Sequence, residues 1–188
     1  MDILYLFLSL LALWYFSVFL FYRIAWNKIP STTNQNDKDL VSVIVACRNE
    51  QDNIANIIQK VKMQNFDKDR FELIAVNDHS TDATLQILEK EVSIWDKLKV
   101  VCLNEEEVGK KSALEKGISF AKGDIILCTD ADCSVGRNWI ATIVNYFADE
   151  KIKMVSAPVL FENKKGFFQQ LQSLEFLSLI GSGAAAIA

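Results

Sequence analysis

The feature that most constrains the fold of this chain is an alternation of short apolar runs with helical patterns. In the helical patterns, apolar residues recur three or four positions apart, which places them on one face of a helix. The apolar runs have the length of buried strands and cover residues 40–47, 71–76, 99–103, 124–128 and 154–159. Strands that alternate with helices in this way form a largely parallel sheet with helices on both faces. We therefore predict an α/β fold.

Polar residues mark where two of the helices begin. Asn53 precedes the first helical pattern, and Ser80 and Asp82 precede the second. Side chains of these types accept hydrogen bonds from the free N–H groups at a helix start. Each of the three is therefore a candidate helix cap.

The N-terminal segment has the length and composition of a transmembrane helix. Residues 3–22 form an uncharged, strongly apolar run, and about 20 such residues span a bilayer. A helix buried in a protein core is the alternative. Arg23 and Lys28 follow the run, whereas only Asp2 precedes it, so the basic flank predicts that the following domain is cytoplasmic.

These patterns divide the chain into four regions. Residues 1–28 are the transmembrane helix with its flank, 29–39 a polar linker, and 40–160 the α/β domain. Residues 161–188 are apolar but interrupted by glutamines and Glu175, which fits an amphipathic helix at a membrane interface or packing against further protein. We expect the protein to continue beyond Ala188.

Charge and cysteine content narrow the function classes. The net charge of −4 and the lack of a basic stripe give no indication of nucleic-acid binding. The four cysteines include no Cys-x-x-Cys pair, and we expect buried, reduced thiols, as in a cytosolic domain.

A pair of carboxylates follows the fourth predicted strand. Asp130 and Asp132 are two positions apart, and such residues in an extended segment point to the same side. They would meet at the open carboxyl edge of the sheet, where α/β folds bind ligands. Two carboxylates on one side repel each other unless a cation lies between them, and Mg²⁺ or Mn²⁺ suits oxygen ligands and also binds phosphates. A polar turn without a ligand is the alternative.

Three more polar clusters follow strands and complement this pair. They are residues 46–50, 77–82 and 109–114. Glu50 and Asp78 could accept hydrogen bonds from a base and a ribose, while Arg48, Lys110 and Lys111 could neutralise phosphate charge. Together the clusters fit a nucleotide diphosphate that carries a group to transfer.

The ordered set of motifs resembles the family 2 glycosyltransferases of the GT-A fold. The resemblance covers roughly residues 41–158 and rests on Val-Ile-Val-Ala-Cys-Arg-Asn-Glu, Val-Asn-Asp-His-Ser-Thr-Asp, Gly-Lys and Asp-Ala-Asp in that order. It implies a Rossmann-like, mostly parallel sheet that binds a nucleotide-diphospho-sugar. The leading helix and the later apolar segment resemble the N-terminal part of the hyaluronan, chitin and poly-N-acetylglucosamine synthases.

The resemblance also implies roles for individual residues. It assigns donor binding to Ala46, Arg48, Glu50, Asp78, Lys110 and Asp130. Within this set, Asp78 would bind the base, commonly uracil, and Asp130 would face the ribose–phosphate side. Asp132, with Asp130, would hold Mg²⁺ or Mn²⁺. Partners would be a UDP-sugar, a glycan or lipid-linked acceptor, and the membrane.

The family's reaction inverts the anomeric centre and uses a carboxylate base from a later acidic motif. After Pro158 the acidic residues are Glu162 and Glu175, and we assign neither as the base. We expect the base downstream of Ala188, so that this chain carries the donor half of the site.

Other interpretations of the motifs remain. A haloacid dehalogenase-type phosphatase also uses Asp-x-Asp with Mg²⁺, but places it after the first strand. A sugar-nucleotide-forming nucleotidyltransferase would need a glycine-rich loop after the first strand, and residues 47–50 contain no glycine. A membrane-anchored binding or scaffold protein without transfer activity is the third alternative.

Overall fold

A computed structural model of the protein describes residues 2–28, 39–161 and 166–187. The chain divides into two compact units: Thr33–Val155 is one, and Met1–Thr32 with Ser156–Ala188 is the other. The predicted linker at 29–39 lies outside the described residues except for Asp39.

A four-stranded parallel sheet forms the centre of the unit Thr33–Val155. The strands are β1 (Val41–Cys47), β2 (Phe71–Asn77), β3 (Leu98–Cys102) and β4 (Ile125–Asp130), in the spatial order β3-β2-β1-β4. Neighbouring strands pair in parallel throughout. The predicted α/β class with a parallel sheet is confirmed, and β4 extends two residues further than predicted, so that Asp130 is its last residue.

Helices cover both faces of this sheet, as predicted. The unit contains α2 (Ile54–Lys62), α3 (Thr84–Val92), α4 (Gly109–Phe120) and α5 (Trp139–Val144), with short 3₁₀ turns at Lys68–Arg70 and Asn145–Ala148. Apolar residues of α2, α3 and α5 pack on one face around Val43 and Leu73. On the other face, α4 packs against Ile44, Ile74 and Val76. Burial of these side chains on both faces is the main stabilising term of the fold.

The register of the strands determines which residues meet at the carboxyl edge. Ala46 on β1 lies beside Asp130 on β4, and Cys47 lies beside Asn77 on β2. The loops after these strands therefore start at the same level. This alignment brings the polar clusters predicted from the sequence to one edge of the sheet.

The predicted fifth strand at residues 154–159 is wrong. Residues 152–161 form neither helix nor strand, and Met154 is 83% and Val159 53% exposed. Apolar composition is the only basis for the predicted strand. A strand also needs a neighbouring strand as hydrogen-bonding partner. Val155 packs against the core, but the described sheet pairs only β1 to β4 and does not include this segment.

The second unit contains two apolar helices that contact each other, α1 (Asp2–Trp26) and α6 (Phe167–Ile187). Of the helices in the described ranges, α1 meets the length and composition needed to cross a membrane, over Ile3–Trp26. The hydroxyls of Ser9 and Ser17 donate to the carbonyls of Tyr5 and Leu13 within the helix. In α6, apolar and polar residues are distributed around all sides, which is not the one-sided pattern of an amphipathic helix.

Candidate functional site

A cleft of about 400 Å³ lies at the carboxyl edge of the sheet. The structure brings all the predicted site residues to its wall: Ala46, Arg48, Glu50, Asp78, Lys110, Asp130 and Asp132. Cys47, Gly109, Ala113 and Ala131 complete the lining. Lys111, a further candidate from the sequence, instead points along α4, and its Nζ lies 3.8 Å from the Glu115 carboxylate.

The loop after β1 forms one wall of the cleft and is held by hydrogen bonds at Glu50. The Glu50 backbone N–H donates to the Thr84 hydroxyl at 2.8 Å, and the Glu50 carboxylate accepts from Asn53 Nδ2 at 2.8 Å. Asn53 precedes α2 as predicted, but its side chain makes no capping hydrogen bond. That part of the prediction is wrong because the amide is used to orient Glu50.

Two residues with positive φ shape the loops after β1 and β2. Asn49 has φ +56° and His79 has φ +52°, in the left-handed region that non-glycine residues rarely adopt. The Asn49 side-chain oxygen accepts the Thr81 N–H at 2.8 Å, and the Asn49 N–H donates to the Ser80 hydroxyl at 3.0 Å. These bonds connect the two loops and compensate the cost of the backbone conformation.

The predicted caps before α3, Ser80 and Asp82, belong to the same network, although the residue directly before the helix is Ala83. The prediction is wrong for Ser80, because its hydroxyl accepts the Asn49 N–H and not an N–H of the helix. The Asp82 carboxylate accepts the N–H groups of Thr84 at 2.9 Å and of Gln51 at 3.1 Å. Asp82 therefore supports the start of α3 and also holds the neighbouring loop. Desolvation is the largest single influence on the pKa of Asp82 and raises it, but the hydrogen bonds from Thr84 and Gln51 together outweigh it. The pKa of Asp82 is therefore lowered.

Asp78 is the buried carboxylate of the cleft, with its side chain only 6% exposed. Its Oδ1 lies 3.0 Å from His79 Nδ1, and its Oδ2 accepts the Gly109 N–H at 3.0 Å. Arg48 Nη1 lies 3.6 Å from the same Oδ2. The hydrogen bond from His79, helped by Gly109 and Arg48, lowers the pKa of Asp78 although burial opposes this. The group is therefore a carboxylate at neutral pH.

The N-terminus of α4 places a lysine opposite the carboxylate pair. Lys110 is the second residue of α4, and its Nζ lies 2.6 Å from Asp130 Oδ1. This hydrogen bond raises the pKa of Lys110, and the negative charges of Asp130 and Asp132 act in the same direction. Both side chains of the ion pair remain about half exposed, at 62% and 49%, so a ligand in the cleft can reach them.

The carboxylate pair has the chemistry of a divalent-cation site. Ligand atoms of Asp130, Asp132 and Cys133 all lie within 4.8 Å of one another. Carboxylate oxygens at this spacing suit Mg²⁺ or Mn²⁺, and Cys133 adds a softer potential ligand. The residues present therefore fit the divalent cation that the sequence pattern predicts.

A buried glutamine supports the loop after the carboxylate pair, and no sequence motif identified it. Gln64 is 2% exposed and lies just after α2. Its Nε2 donates to the Gly136 carbonyl at 2.7 Å, and its Oε1 accepts the Ile140 N–H at 3.0 Å. Gln64 thus connects α2 to the loop and to the start of α5. A single glutamine after a helix does not indicate, from the sequence alone, that its side chain binds residues more than 70 positions away.

The cysteines are free, as expected, but only one of the four is buried. Cys47 is buried beneath the cleft, and desolvation, with the nearby Glu50 charge, raises its pKa to about 12. Cys102 and Cys128 are exposed, and Cys133 is partly so. The expectation of buried thiols is therefore wrong for Cys102, Cys128 and Cys133. Cys102 and Cys128 lie on strands, but they belong to neither packed core.

The fold and cleft are those of the α/β proteins that bind ligands at the carboxyl ends of parallel strands. Residues 42–184 match the family described as glycosyl transferase family 2, which covers more than half of the chain. This protein belongs to that family.

Curated relatives agree with this assignment. The chain is 31% identical over 160 residues to the poly-beta-1,6-N-acetyl-D-glucosamine synthase of Staphylococcus aureus, covering 85% of this chain and 38% of the relative. It is 30% identical over 146 residues to a beta-monoglucosyldiacylglycerol synthase of Nostoc, covering 77% of this chain and 31% of the relative. The chain therefore spans about a third of the length of these relatives.

Solved structures of the same architecture include two with nucleotide-sugars. The mannosyltransferase PcManGT from Pyrobaculum calidifontis, in complex with GDP-Man and Mn²⁺, matches with a TM-score of 0.65 and 28% identity, covering 76% of this chain and 43% of that one. Staphylococcus aureus TarS 1-349 in complex with UDP-GlcNAc matches with a TM-score of 0.54 and 26% identity, covering 66% of this chain and 38% of that one. The GT-A fold predicted from the motifs is confirmed.

Proposed function

We propose that this protein is part of a glycosyltransferase that moves a sugar from a nucleotide-diphospho-sugar to an acceptor hydroxyl with inversion. The observation that carries the proposal is the convergence of a buried carboxylate, two cations and an exposed carboxylate pair in one cleft at the carboxyl edge of the sheet. Each group suits a different part of the same donor. The family membership and the nucleotide-sugar complexes of related structures support it.

In this proposal the nucleoside lies against the loops after β1 and β2. Asp78 accepts a hydrogen bond from the base, for which its low pKa keeps it ionised. Glu50, held by Asn53, faces the ribose hydroxyls, and Ala46 leaves room for the nucleoside beside β1. Arg48 is 55% exposed and provides positive charge at the same end of the cleft.

The diphosphate lies between α4 and the end of β4. Asp132, with Asp130, would hold Mg²⁺ or Mn²⁺, which when bound would stabilise the negative charge that develops on the leaving nucleoside diphosphate. Lys110 would neutralise phosphate charge beside the cation, since its Nζ lies 2.6 Å from Asp130 Oδ1. These groups assist departure of the diphosphate from the anomeric carbon.

The acceptor half of the reaction requires a base that deprotonates the attacking hydroxyl. The acidic residues of the cleft are Glu50, Asp78, Asp130 and Asp132, and each has a donor or metal role in this proposal. We therefore propose that a residue other than these four supplies the base. Because every acidic residue of the cleft already has a donor or metal role, a second candidate is a membrane-anchored protein that binds a nucleotide-sugar without transferring it. That protein would have the same donor site.

A UDP-sugar is the donor we favour. The curated relative from Staphylococcus aureus is named as an N-acetylglucosamine polymer synthase, and TarS was solved with UDP-GlcNAc. The GDP-Man complex of PcManGT makes GDP-sugars the alternative to test. We further propose that α1 anchors the protein in a membrane with the cleft on the cytoplasmic side, where the acceptor is a glycan or a lipid-linked molecule.

Calorimetric titration of the full chain in detergent tests the donor site. UDP and GDP are titrated with and without Mn²⁺, and the same titrations are repeated with Asp132→Ala. We expect Mn²⁺-dependent binding of UDP that Asp132→Ala abolishes. Glu89→Ala is the matched control, because it removes an exposed carboxylate on α3 outside the cleft and should leave binding unchanged. Folded protein that binds neither nucleotide with Mn²⁺ contradicts the proposal.

A further inference from the structure

We propose that Asp78 is a positioning residue for the diphosphate end of the cleft, in addition to its contact with the base. Its carboxylate fixes the first residue of α4 and, through that helix, the position of Lys110 relative to Asp130. The base end and the diphosphate end are then coupled through the protein. The inference rests on the proposed donor site. It adds that the base end and the diphosphate end of this site are connected through the protein as well as through the donor.

The first link is the hydrogen bond between Asp78 and the start of α4. Asp78 Oδ2 accepts the Gly109 N–H at 3.0 Å, across 31 positions of sequence. The first N–H groups of a helix have no partner inside the helix and need an acceptor from elsewhere. Val108, the residue before α4, has an apolar side chain and makes no capping bond. Asp78 supplies from the end of β2 the acceptor that the local sequence lacks.

The second link is the backbone conformation at this point. Gly109 has φ +91°, which a residue with a Cβ rarely adopts. A Cβ added there would meet nothing within 4 Å, so backbone conformation and not space requires glycine. The chain thus turns sharply into α4 at the residue that Asp78 holds.

The third link runs from α4 to the carboxylate pair. Lys110 directly follows Gly109, and its Nζ lies 2.6 Å from Asp130 Oδ1 on β4. The contacts therefore form a continuous series from the end of β2 to β4: Asp78, Gly109, Lys110 and Asp130. A shift of the helix start would move the lysine away from the oxygens that face the diphosphate.

Asp78 is itself held firmly enough to serve as an anchor. Its side chain is nearly buried, and His79 Nδ1 lies 3.0 Å from its other oxygen. Its own N–H donates to the carbonyl of Cys47, the last residue of β1, at 2.9 Å. An anchor on the sheet can therefore transmit a change at the base end to the start of α4.

Pyrophosphate with Mn²⁺ tests the inference because it has the diphosphate and no base. Binding to the full chain is measured by calorimetry for wild type and Asp78→Asn. If Asp78 contacts only the base, removal of its negative charge should leave pyrophosphate binding unchanged or strengthen it. If Asp78 positions α4, Asp78→Asn weakens pyrophosphate binding by about fivefold, because a neutral amide oxygen holds the Gly109 N–H less strongly than a carboxylate does.

Two further variants separate positioning from charge and from misfolding. Gly109→Ala keeps every charge but strains the turn, and we expect a loss of pyrophosphate binding similar to that of Asp78→Asn. Glu115→Gln is the matched control, because it also removes one negative charge, from the exposed face of α4 and away from the cleft. It should not weaken binding. The circular dichroism spectrum of each variant is compared with that of wild type.

A double-mutant cycle tests whether Asp78 acts through Lys110. We expect Asp78→Asn to cost nothing further in a Lys110→Gln background, because both changes remove the same contact with the diphosphate. Unchanged or tighter pyrophosphate binding by Asp78→Asn, with UDP binding weakened, overturns the inference and leaves the donor site intact. Wild-type protein that binds neither UDP nor pyrophosphate with Mn²⁺ overturns both.

Discussion

At the scale of single residues, the cleft is a set of opposed charges that already contact one another. Lys110 and Asp130 form an ion pair, and Arg48 lies near Asp78. The carboxylate that would hold a cation is therefore partly neutralised by a lysine before any ligand binds. When a diphosphate binds with a cation, Lys110 can pair with the phosphate oxygens, and Asp130 is then free to bind the cation.

This arrangement predicts opposite effects of Lys110→Gln on two ligands. Without nucleotide, the variant should bind Mn²⁺ about two- to fivefold more tightly, because Lys110 no longer competes with Mn²⁺ for Asp130. The size of the effect is that expected for the loss of an exposed ion pair. With Mn²⁺ present, it should bind UDP more weakly. Electron paramagnetic resonance of free Mn²⁺ measures the first effect and calorimetry the second.

Lys111→Gln is the control for this pair of measurements. It removes a positive charge at the next position of α4, where Lys111 pairs with Glu115 and does not line the cleft. Both affinities should stay near the wild-type values. Weaker Mn²⁺ binding by Lys110→Gln would contradict the competition between the lysine and the metal ion.

Asp78 also predicts a pH dependence of stability. Its hydrogen bonds and its charged neighbours lower its pKa below the ordinary value of 3.8, so its interactions stabilise the fold above that value. The contribution is lost as the pH falls further, through the pKa of the folded state. The difference in free energy of unfolding between wild type and Asp78→Asn should therefore be larger at pH 7 than at pH 3.

Denaturation in urea at the two pH values, with tryptophan fluorescence as the probe, measures this difference. Glu89→Gln provides the comparison, since Glu89 is exposed on α3 and has no role in the cleft. An equal difference at both pH values would show that the Asp78 carboxylate contributes no charge-dependent stability.

At the scale of elements, α4 is the helix that most directly positions the site. It packs closely on the central strands through Gly117, where an added Cβ would lie 2.6 Å from Ile44 Cγ2 and 3.1 Å from Val76 Cγ2. Both neighbours are fully buried, so neither can move away easily. The small residue lets the helix approach the sheet and holds Lys110 near β4.

We expect Gly117→Ala to destabilise the protein despite the better helix propensity of alanine. Overpacking a core costs about 1–3 kcal/mol, whereas alanine gains up to about 1 kcal/mol over glycine in a helix. Gly136→Ala is the control, because a Cβ there meets nothing within 4 Å. Denaturation in urea compares the two, and equal stability of both variants would contradict the close packing.

The elements also show what could be predicted from the sequence. The four strands of the sheet and the helices between them were predictable because buried runs and one-sided helical patterns are local signals. The absence of a strand at 154–159 was not, because an apolar run does not reveal whether a partner exists. The roles of Asn53 and Gln64 depend on contacts across loops, and such contacts have no local signature.

The site was more predictable than its internal connections. Four motifs at the ends of parallel strands must meet, so the residues of the cleft can be inferred from topology. The hydrogen bond from Gly109 to Asp78 depends on the path of the chain before α4. That path is determined by the packing of the whole domain. The only local signal of it in the sequence is the glycine directly before Lys110.

At the scale of the whole molecule, the chain combines a sheet unit, which carries the proposed donor site, with an apolar helical unit. The length and composition of α1 support a membrane anchor, and Arg23 in its last turn supports a cytoplasmic location for the sheet unit. A cytoplasmic cleft would have direct access to nucleotide-sugars.

Two native cysteines allow this orientation to be tested. Cys102 and Cys128 are exposed on the sheet unit, so a membrane-impermeant maleimide should label them after cell lysis but not in intact cells. A variant with Cys102→Ser and Cys128→Ser should lose most of the labelling after lysis. Labelling of the wild type in intact cells would contradict the cytoplasmic orientation.

The most direct test of the donor site is a crystal structure with UDP and Mn²⁺, with anomalous scattering recorded at the manganese edge. We predict one anomalous peak within coordination distance of an Asp132 oxygen and of the diphosphate, with the base beside Asp78. Nucleotide bound outside this cleft, or manganese bound away from Asp132, would contradict the proposed donor site.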